Sequence, residues 1–312
     1  MTIQLTLKQL RYLCTLAKTC HFGEAAEKCH VSQSTLSAAI TELEEHLGLT
    51  LFERNNKRVS LTSVGEEVVH RSQDILAKVN DLVSLCHASH KPFTSELQLG
   101  VIPTIAPFLL PALLNQMRSE YPDLKFMIRE DISGSLLRHL LDGHLDLLIM
   151  ALPYPSQGTE TLPLFYDDFL LACPNDHPLA SKTAVTLQDL KEQDLLLLED
   201  GHCLRDHALE ACKLRGNEIS IPYQATSLNT LIQMVANGLG ITLLPKMAVD
   251  SHILAGIPVT VRPFVEKNVR RGIGLIWRKT SPRQDEFRLL GEILKQQHSP
   301  AVDLDKAVES NS

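Results

Sequence analysis

The chain has 312 residues, 44% of them hydrophobic, and a formal net charge of −7; it is longer than one ordinary domain, can bury real cores, and is too acidic to bind polyanions over its whole surface. No run approaches the roughly eighteen apolar residues of a membrane span, and the first residues carry no basic stretch leading into an apolar core. Seven scattered cysteines (14, 20, 29, 86, 173, 203 and 212) are an odd number that suits reduced thiols and excludes a secreted disulfide scaffold.

A cytoplasmic protein of two or three domains is expected, with no contact to a membrane. Its charge is uneven. Residues 1–91 hold ten Lys and Arg against ten Asp and Glu, leaving 20 against 27 for the rest. The N-terminal part is therefore the one compatible with phosphate.

Leu7, Leu10, Tyr12, Leu13, Leu16 and Ala17 recur at helical spacing and predict a first helix over 7–17. A short alanine-rich helix from Phe22 follows, then a turn at Cys29 and His30, then a helix over 31–40 with Ser32 placed to cap it. Together these make a helix-turn-helix over 22–41. Its second helix opens with Ser32, Gln33, Ser34, Thr35 and Ser37, hydroxyl and amide side chains that suit base edges in a major groove. Residues 51–65 read as a hairpin wing. Its Arg54, Lys57 and Arg58 stand close enough together to meet a phosphate backbone, so 1–65 is expected as one winged helix-turn-helix domain.

Residues 66–90 are expected as a linker helix. Val68, Ile75, Val79, Leu82 and Cys86 keep a four-three spacing with little else to cover them, a seam that predicts a coiled coil with a second copy and a symmetric dimer. His90, Lys91, Pro92 and Phe93 then break the helix and read as a hinge.

From Glu96 strands and helices alternate: strand 97–102, helix to 120, strand 124–129, helix to 141, strand 145–151. The pattern is that of a parallel α/β domain. After a loop from Pro153 to Gly158 comes an extended stretch over 162–173, a strand at 194–198, a helix from Cys203, a strand at 223–225, a helix over 228–236 and a strand at 241–244. A strand over 269–277 and a helix over 283–297 return to the first set. The fold class expected is a multidomain α+β and α/β chain: the winged helix-turn-helix, the linker helix, and a C-terminal domain over 93–298 in two α/β lobes. Lobe I covers about 93–163 plus 268–298, lobe II about 164–267, and a polar tail over 299–312 is expected to be disordered. A cleft between lobes is a usual place for a ligand. Thr104 after Pro103, and Thr226 with Ser227, offer hydroxyls and helix-start N–H groups to a small polar or anionic guest there; the same residue types also serve as plain helix caps.

The turn Glu199 to His202, between a buried strand and a helix opening on Cys203, makes an address for a reactive thiol. Unpaired N–H groups and the helix dipole favour thiolate, and His202 and Arg205 add positive charge. Cys212 lies nine residues on, which at about 100° per residue is the opposite side of the same helix, roughly 13 Å along it. A disulfide needs Cα atoms within about 7 Å, so the helix must unwind or its flanks must move if the two sulfurs are to bond. Cys212 shares an apolar face with Leu204, Ala208 and Ala211, which hides it, while Cys203 is expected to meet solvent. Spacing alone also fits two structural core cysteines. The other five read as core thiols. Cys20, His21, Cys29 and His30 match no usual zinc spacing, so neither metal nor cofactor is expected.

The run Phe22-Gly-Glu-Ala-Ala with Val31-Ser-Gln-Ser-Thr-Leu-Ser, then Leu51-Phe-Glu-Arg and Leu61-Thr, resembles the winged helix-turn-helix of the LysR-type transcriptional regulators, and the likeness extends to about residue 298. Ser34 stands where proline is usual. Glu199-Asp-Gly-His-Cys-Leu-Arg-Asp with Cys212 is similar to the peroxide-sensing members of that family, supported by Ile102-Pro-Thr, Ala225-Thr-Ser-Leu and Gly240-Ile-Thr-Leu-Leu-Pro. The resemblance implies a regulatory domain like the periplasmic binding proteins and a non-enzymatic activator acting as a dimer of dimers. It implies that Cys203 is the peroxidatic thiol, oxidised to sulfenic acid, and Cys212 the resolving one. Thr104, Ser133, His202, Arg205 and Asp206 then hold or polarise the peroxide, Ser133 standing where a second threonine is usual. The partners implied are a double-stranded DNA operator, RNA polymerase, hydrogen peroxide and a cellular dithiol reductant. Two rival readings stand beside this one. A LysR-type regulator could answer to a small anion at Thr104 and Thr226, with the cysteines incidental; a thiol peroxidase could use Cys203 and Cys212, but has no need of residues 1–65.

Overall fold

The computed structural model describes residues 5–55, 58–88, 92–191, 193–212 and 224–298. They divide into an N-terminal unit, residues 1–90 with 138–145, and a C-terminal unit, 91–137 with 146–312.

In the N-terminal unit, α1 (Leu7–Thr19) starts on a reciprocal cap between Thr6 and Gln9 and stops at Cys20, whose φ is 50°. α2 (Phe22–Lys28) starts on His21, whose ring Nδ1 accepts from the Glu24 N–H at 3.1 Å. α3 (Gln33–Leu47) is capped by Ser32 as expected and ends on Gly48, at φ +66°. Ala25 and Ala26 are small enough for α2 to cross closely, over a core of Leu13, Leu16, Leu36, Ile40 and Leu43. β1 (Phe52–Asn55) and β2 (Arg58–Leu61) form the expected hairpin, Phe52 opposite Leu61. Gly65 is required where it stands: a Cβ there would lie 2.2 Å from the Leu51 carbonyl oxygen.

α4 (Ser63–Ala88) begins three residues before the expected 66, because the Thr62 hydroxyl accepts from the Gly65 N–H at 2.9 Å and caps it earlier. One face packs on α1, with Val69 in the shared core, while Ala77 is buried against Gly143. On the expected seam Val68 and Val79 are half-buried, while Ile75 is 43% and Leu82 62% exposed. The side chain of Cys86, and His90 and Lys91 of the expected hinge, lie outside the described residues. Phe93 is no hinge: it is buried against Tyr121, and its N–H donates to Glu286.

The C-terminal unit runs β3 (Glu96–Val101), α5 (Ala106–Glu120), β4 (Lys125–Glu130), α6 (Ser133–Leu141, whose last turns group with the N-terminal unit), β5 (Leu147–Leu152) and β6 (Thr159–Pro174). Then come β7 (Leu197–Leu198), α7 (Cys203–Ala211), β8 (Gln224–Ala225), α8 (Leu228–Ala236), β9 (Thr242–Pro245), α9 (Lys246–Asp250), β10 (Val259–Pro263), β11 (Arg270–Arg278) and α10 (Gln284–His298). The strands order as β10-β6-β11-β5-β3-β4, with β9 also on β6, and β7 pairs with β8 apart.

The first set is parallel as expected, and the strand that returns to it makes the sheet mixed. β3 is parallel to β4 and β5, each reached through a helix, but β11 runs antiparallel to both β5 and β6. Parallel pairing needs a crossover between consecutive strands. β11 instead returns after a long excursion and enters from the other end. β6 is one continuous strand: Thr159 to Asp168 pair with β11, and Phe169 to Pro174 with β9 and β10. Leu147 to Ala151 are fully buried, a strand covered on both faces and apolar throughout for that reason. The strand expected over 194–198 shortens to β7 with a single bridge from Leu195 to Ile241, and α9 and β10 were not anticipated.

Candidate redox site on helix α7

The site begins with a turn. β7 is buried, Gly201 adopts φ +97°, and His202 leads into α7 with no side-chain cap of its own. Cys203 is therefore the first residue of the helix, as expected, among N–H groups with no partner within the helix.

Its environment is not the expected one. Cys203 is only 5% exposed, because the first turn of α7 lies against β11 and beside the start of α6. Burial pushes the thiol above its ordinary value and prevails, while the Ser133 hydroxyl, the Arg271 cation and the Ala151 N–H pull it down and Asp206 pushes it up. The resting group is a buried thiol with thiolate-favouring neighbours in place. The Ser133 hydroxyl, itself buried, has no partner at hydrogen-bonding geometry, though it lies near enough to Sγ to favour thiolate. Tyr154 closes another side, its phenol pushed up by burial and then by Cys203 and Asp206. One turn along α7, His207 places Nε2 3.1 Å from the Pro153 carbonyl and leaves Nδ1 without a partner.

Arg271 is the centre of a buried network. Its Nε and Nη2 donate to Asp167 at 3.1 and 3.0 Å, Nη1 donates to the Thr104 hydroxyl at 2.9 Å, and Nη2 donates to the Thr104 carbonyl at 3.0 Å. Thr104 is thus an acceptor for a cation rather than a helix cap; α5 starts at Ala106 without a side-chain cap. Thr104 also lines a cavity of about 390 Å³ with His202, Thr226, Ser227, Asn229 and Glu130. The two helix starts do face one space. Ser227 is at the same time a true cap, accepting from the Thr230 N–H at 3.2 Å.

Of the residues expected around a peroxide, Ser133 alone stands beside the thiol. Thr104 is linked to it through Arg271, and His202 turns to the cavity. Arg205 pairs with Asp200 across the turn, and Asp206 is exposed with a charge that opposes thiolate. Arg271, Asp167, Tyr154 and His207 were missed. Arg271 left a signal: an arginine in an apolar strand must have a buried partner, and its registered neighbour on β6 is Asp167.

Cys212 caps the far end of α7, 3% exposed, in one core cluster with Leu204 and Ala208. Burial, then Glu266, pushes its thiol up to about 12. The opposite-face placement of the two sulfurs holds, and both are free thiols.

On α3, Ser32, Gln33, Ser34 and Thr35 are exposed and Ser37 is half-buried. Ser32 Oγ accepts from the Thr35 N–H at 3.1 Å and contacts the hydroxyls of Ser34 and Thr35 at 2.9 and 2.7 Å. The serine in place of proline at 34 therefore joins the cap. Lys57 and the side chains of Arg54 and Arg58 lie outside the described residues, as does the tail over 299–312. Among the described residues no His, Cys, Asp and Glu cluster could hold a metal, and no helix is long and apolar enough to cross a membrane.

Residues 7–66 match the family model for bacterial regulatory helix-turn-helix proteins of the lysR family, and residues 90–299 the LysR substrate binding domain. The chain is 41% identical over 290 residues to the HTH-type transcriptional regulator EstR of Acinetobacter baylyi, covering 93% of this chain and 96% of that one. It is 40% identical over 294 residues to the probable hydrogen peroxide-inducible genes activator of Streptomyces viridosporus, covering 94% of each. A full-length OxyR variant of Pseudomonas aeruginosa aligns at a TM-score of 0.74 and 38% identity, over 94% of this chain and 95% of that one. Both halves of the chain, the reading head and the two-part α/β unit, thus belong to the LysR family of bacterial transcriptional regulators.

Proposed function

We propose that this chain is a cytoplasmic activator of transcription that senses hydrogen peroxide through Cys203 and a reversible disulfide with Cys212. One observation carries the reading: Cys203 is enclosed at a helix N-terminus by the Ala151 N–H, the Arg271 cation and a Ser133 hydroxyl with no partner, with a second thiol at the far end of the same helix. Relatedness to a probable peroxide-inducible activator supports the same reading.

The chemistry follows from the groups. The Cys203 thiolate attacks one peroxide oxygen, the O–O bond breaks, and the leaving hydroxide takes a proton to become water. Ser133 and the Ala151 N–H are donors beside the sulfur; Arg271 balances the negative charge. Cys212 then loses its proton and attacks the sulfenic sulfur, expelling the oxygen as a second water. Two electrons pass from two thiols to one peroxide, and a dithiol reductant reverses the disulfide by exchange. About 13 Å of helix separates the sulfurs, so α7 must unwind for the bond to close.

That unwinding is read out on DNA. Ser32, Gln33, Ser34, Thr35 and Ser37 face base edges, and Arg54, Lys57 and Arg58 of the wing meet the backbone. Peroxide alters the spacing of four reading heads in a dimer of dimers and so the contact with RNA polymerase. Ile75 and Leu82, exposed one heptad apart, form the dimer seam. An Ile75→Glu protein is expected to sediment at a lower mass than the wild type at micromolar concentration; an unchanged mass rules the seam out.

A second reading has support of its own. The cavity bounded by Thr104, Thr226 and Ser227 has room for a small organic anion. The deciding experiment is mass mapping of thiols after brief, near-stoichiometric peroxide, with DNA footprints of both forms. A Cys203 to Cys212 linkage, absent in Cys203→Ser, reversed by a dithiol and accompanied by a changed footprint, is expected. Unmodified thiols at that dose remove peroxide and leave the cavity ligand; sustained turnover of peroxide with a reductant points to a thiol peroxidase instead.

A further inference from the structure

We propose that His207 is a positioning residue for the resolving step: its hydrogen bond to the Pro153 carbonyl clasps the middle of α7 and so times the closure of the Cys203 to Cys212 disulfide. This role rests on the peroxide reading of Cys203 and concerns its second step.

His207 is 8% exposed, with Nε2 3.1 Å from the Pro153 carbonyl oxygen and Nδ1 buried without a partner. A carbonyl can only accept, so Nε2 carries the hydrogen and donates. Among the described residues this is the one side-chain hydrogen bond from α7, past its first residue, to a strand or the loop beside it. Arg205 pairs with Asp200 inside the preceding turn, and Asp206 and Glu210 are exposed.

The bond stands where the disulfide has to form. His207 is four residues from Cys203 and five from Cys212. Shortening a span of roughly 13 Å to the 7 Å or so of a disulfide means uncoiling the turn that holds it. The end of β5 grips the helix twice, through the Ala151 N–H at Cys203 and through Pro153 at His207. The first grip favours thiolate. It slackens once the sulfur is a neutral sulfenic acid, because the charge that Ala151 and Arg271 attract is gone. The second involves no charge and remains. What then keeps α7 wound is the packing of Leu204 and Ala208 and the His207 bond. Nδ1 keeps the clasp weak: in the folded helix that nitrogen is cut off from water, and opening hydrates it, which offsets part of the bond that is lost. Once the clasp opens, the Cys212 thiolate attacks the sulfenic sulfur, the S–S bond forms as S–O breaks, and the oxygen leaves as hydroxide and is protonated to water.

The test compares the full wild-type chain with His207→Gln, whose amide nitrogen reaches about as far as Nε2 and can donate to the same carbonyl, and with His207→Ala, which cannot. Amide hydrogen exchange of the reduced proteins, read by mass over residues 203–211, reports the opening of α7 without any oxidant. Rapid quenching after peroxide, with dimedone to trap sulfenic acid and mass to count disulfide, gives the rate of closure relative to that of sulfenic acid formation. In His207→Ala both the exchange and that ratio are expected to rise about tenfold, the effect of one hydrogen bond, while His207→Gln stays within about twofold of wild type. Equal exchange, or an equal ratio, in wild type and His207→Ala overturns the clasp. So does a His207→Gln protein as fast as His207→Ala, which assigns the effect to lost ring packing. A Cys203 inert to peroxide in all three proteins would instead sink the peroxide reading, and exchange would still decide whether His207 holds the helix.

Discussion

An Arg271→Ala protein is expected to lose about 3–5 kcal/mol of stability in its C-terminal unit, because the substitution strands a buried carboxylate. Asp167 is 3% exposed at its side chain and Arg271 wholly buried, and the guanidinium also satisfies Thr104 at both its hydroxyl and its carbonyl. Urea unfolding followed by fluorescence of Trp277, the single tryptophan, buried in the same strand, reports on this unit alone. The double replacement Arg271→Met with Asp167→Leu should recover much of the loss, since it removes both charges together. The Cys203 thiol separates structure from chemistry: with Arg271 gone it should ionise less readily and react more slowly with peroxide, even in protein still folded by fluorescence. An unchanged unfolding midpoint in Arg271→Ala would sink the account of this network.

The reduced protein is also expected to lose stability steeply above pH 9. Burial pushes Cys212 from 9.0 to about 12 and Cys14 from 9.0 to about 11. The sign follows from which state holds the proton. The unfolded chain releases it near pH 9, the folded chain keeps it, and so unfolding is favoured as pH rises, until the folded thiol also ionises. Each pH unit in that window costs about 1.4 kcal/mol per thiol. The two cysteines lie in different units, so Cys212→Ala should flatten the slope seen through Trp277 and leave that of the N-terminal unit alone. Equal slopes in wild type and Cys212→Ala between pH 8 and 10.5 would contradict it. For the redox cycle the same burial fixes an order of events: Cys212 must leave its core before it can become a nucleophile.

Much of the architecture was legible because it is written in local chemistry. Ser32 as a cap, Ala25 and Ala26 as a crossing point and the Phe52 to Leu61 hairpin are decided by residues close in sequence, and each came out as expected. What failed depended on distant partners. The exposure of Cys203 is set by Ser133, Ala151 and Arg271, more than fifty residues away in either direction, and no spacing along α7 announces them. Thr104 looked like a cap because threonine caps helices; its true partner is 167 residues on. The direction of β11 was hidden for the same reason, since periodicity reports a strand but not the end by which it enters a sheet.

β6 has a mechanical meaning. It runs unbroken from its ladder with β11 into its ladders with β9 and β10, so the two halves of the regulatory unit are nailed to a single lath. Swinging them apart like jaws means bending that lath and tearing its cross-pieces. Recoiling one short helix that rests on β11 and β7 breaks no rung of it. A frame of this kind suits a trigger that releases a local spring, with the lath as the fixed beam against which the spring works.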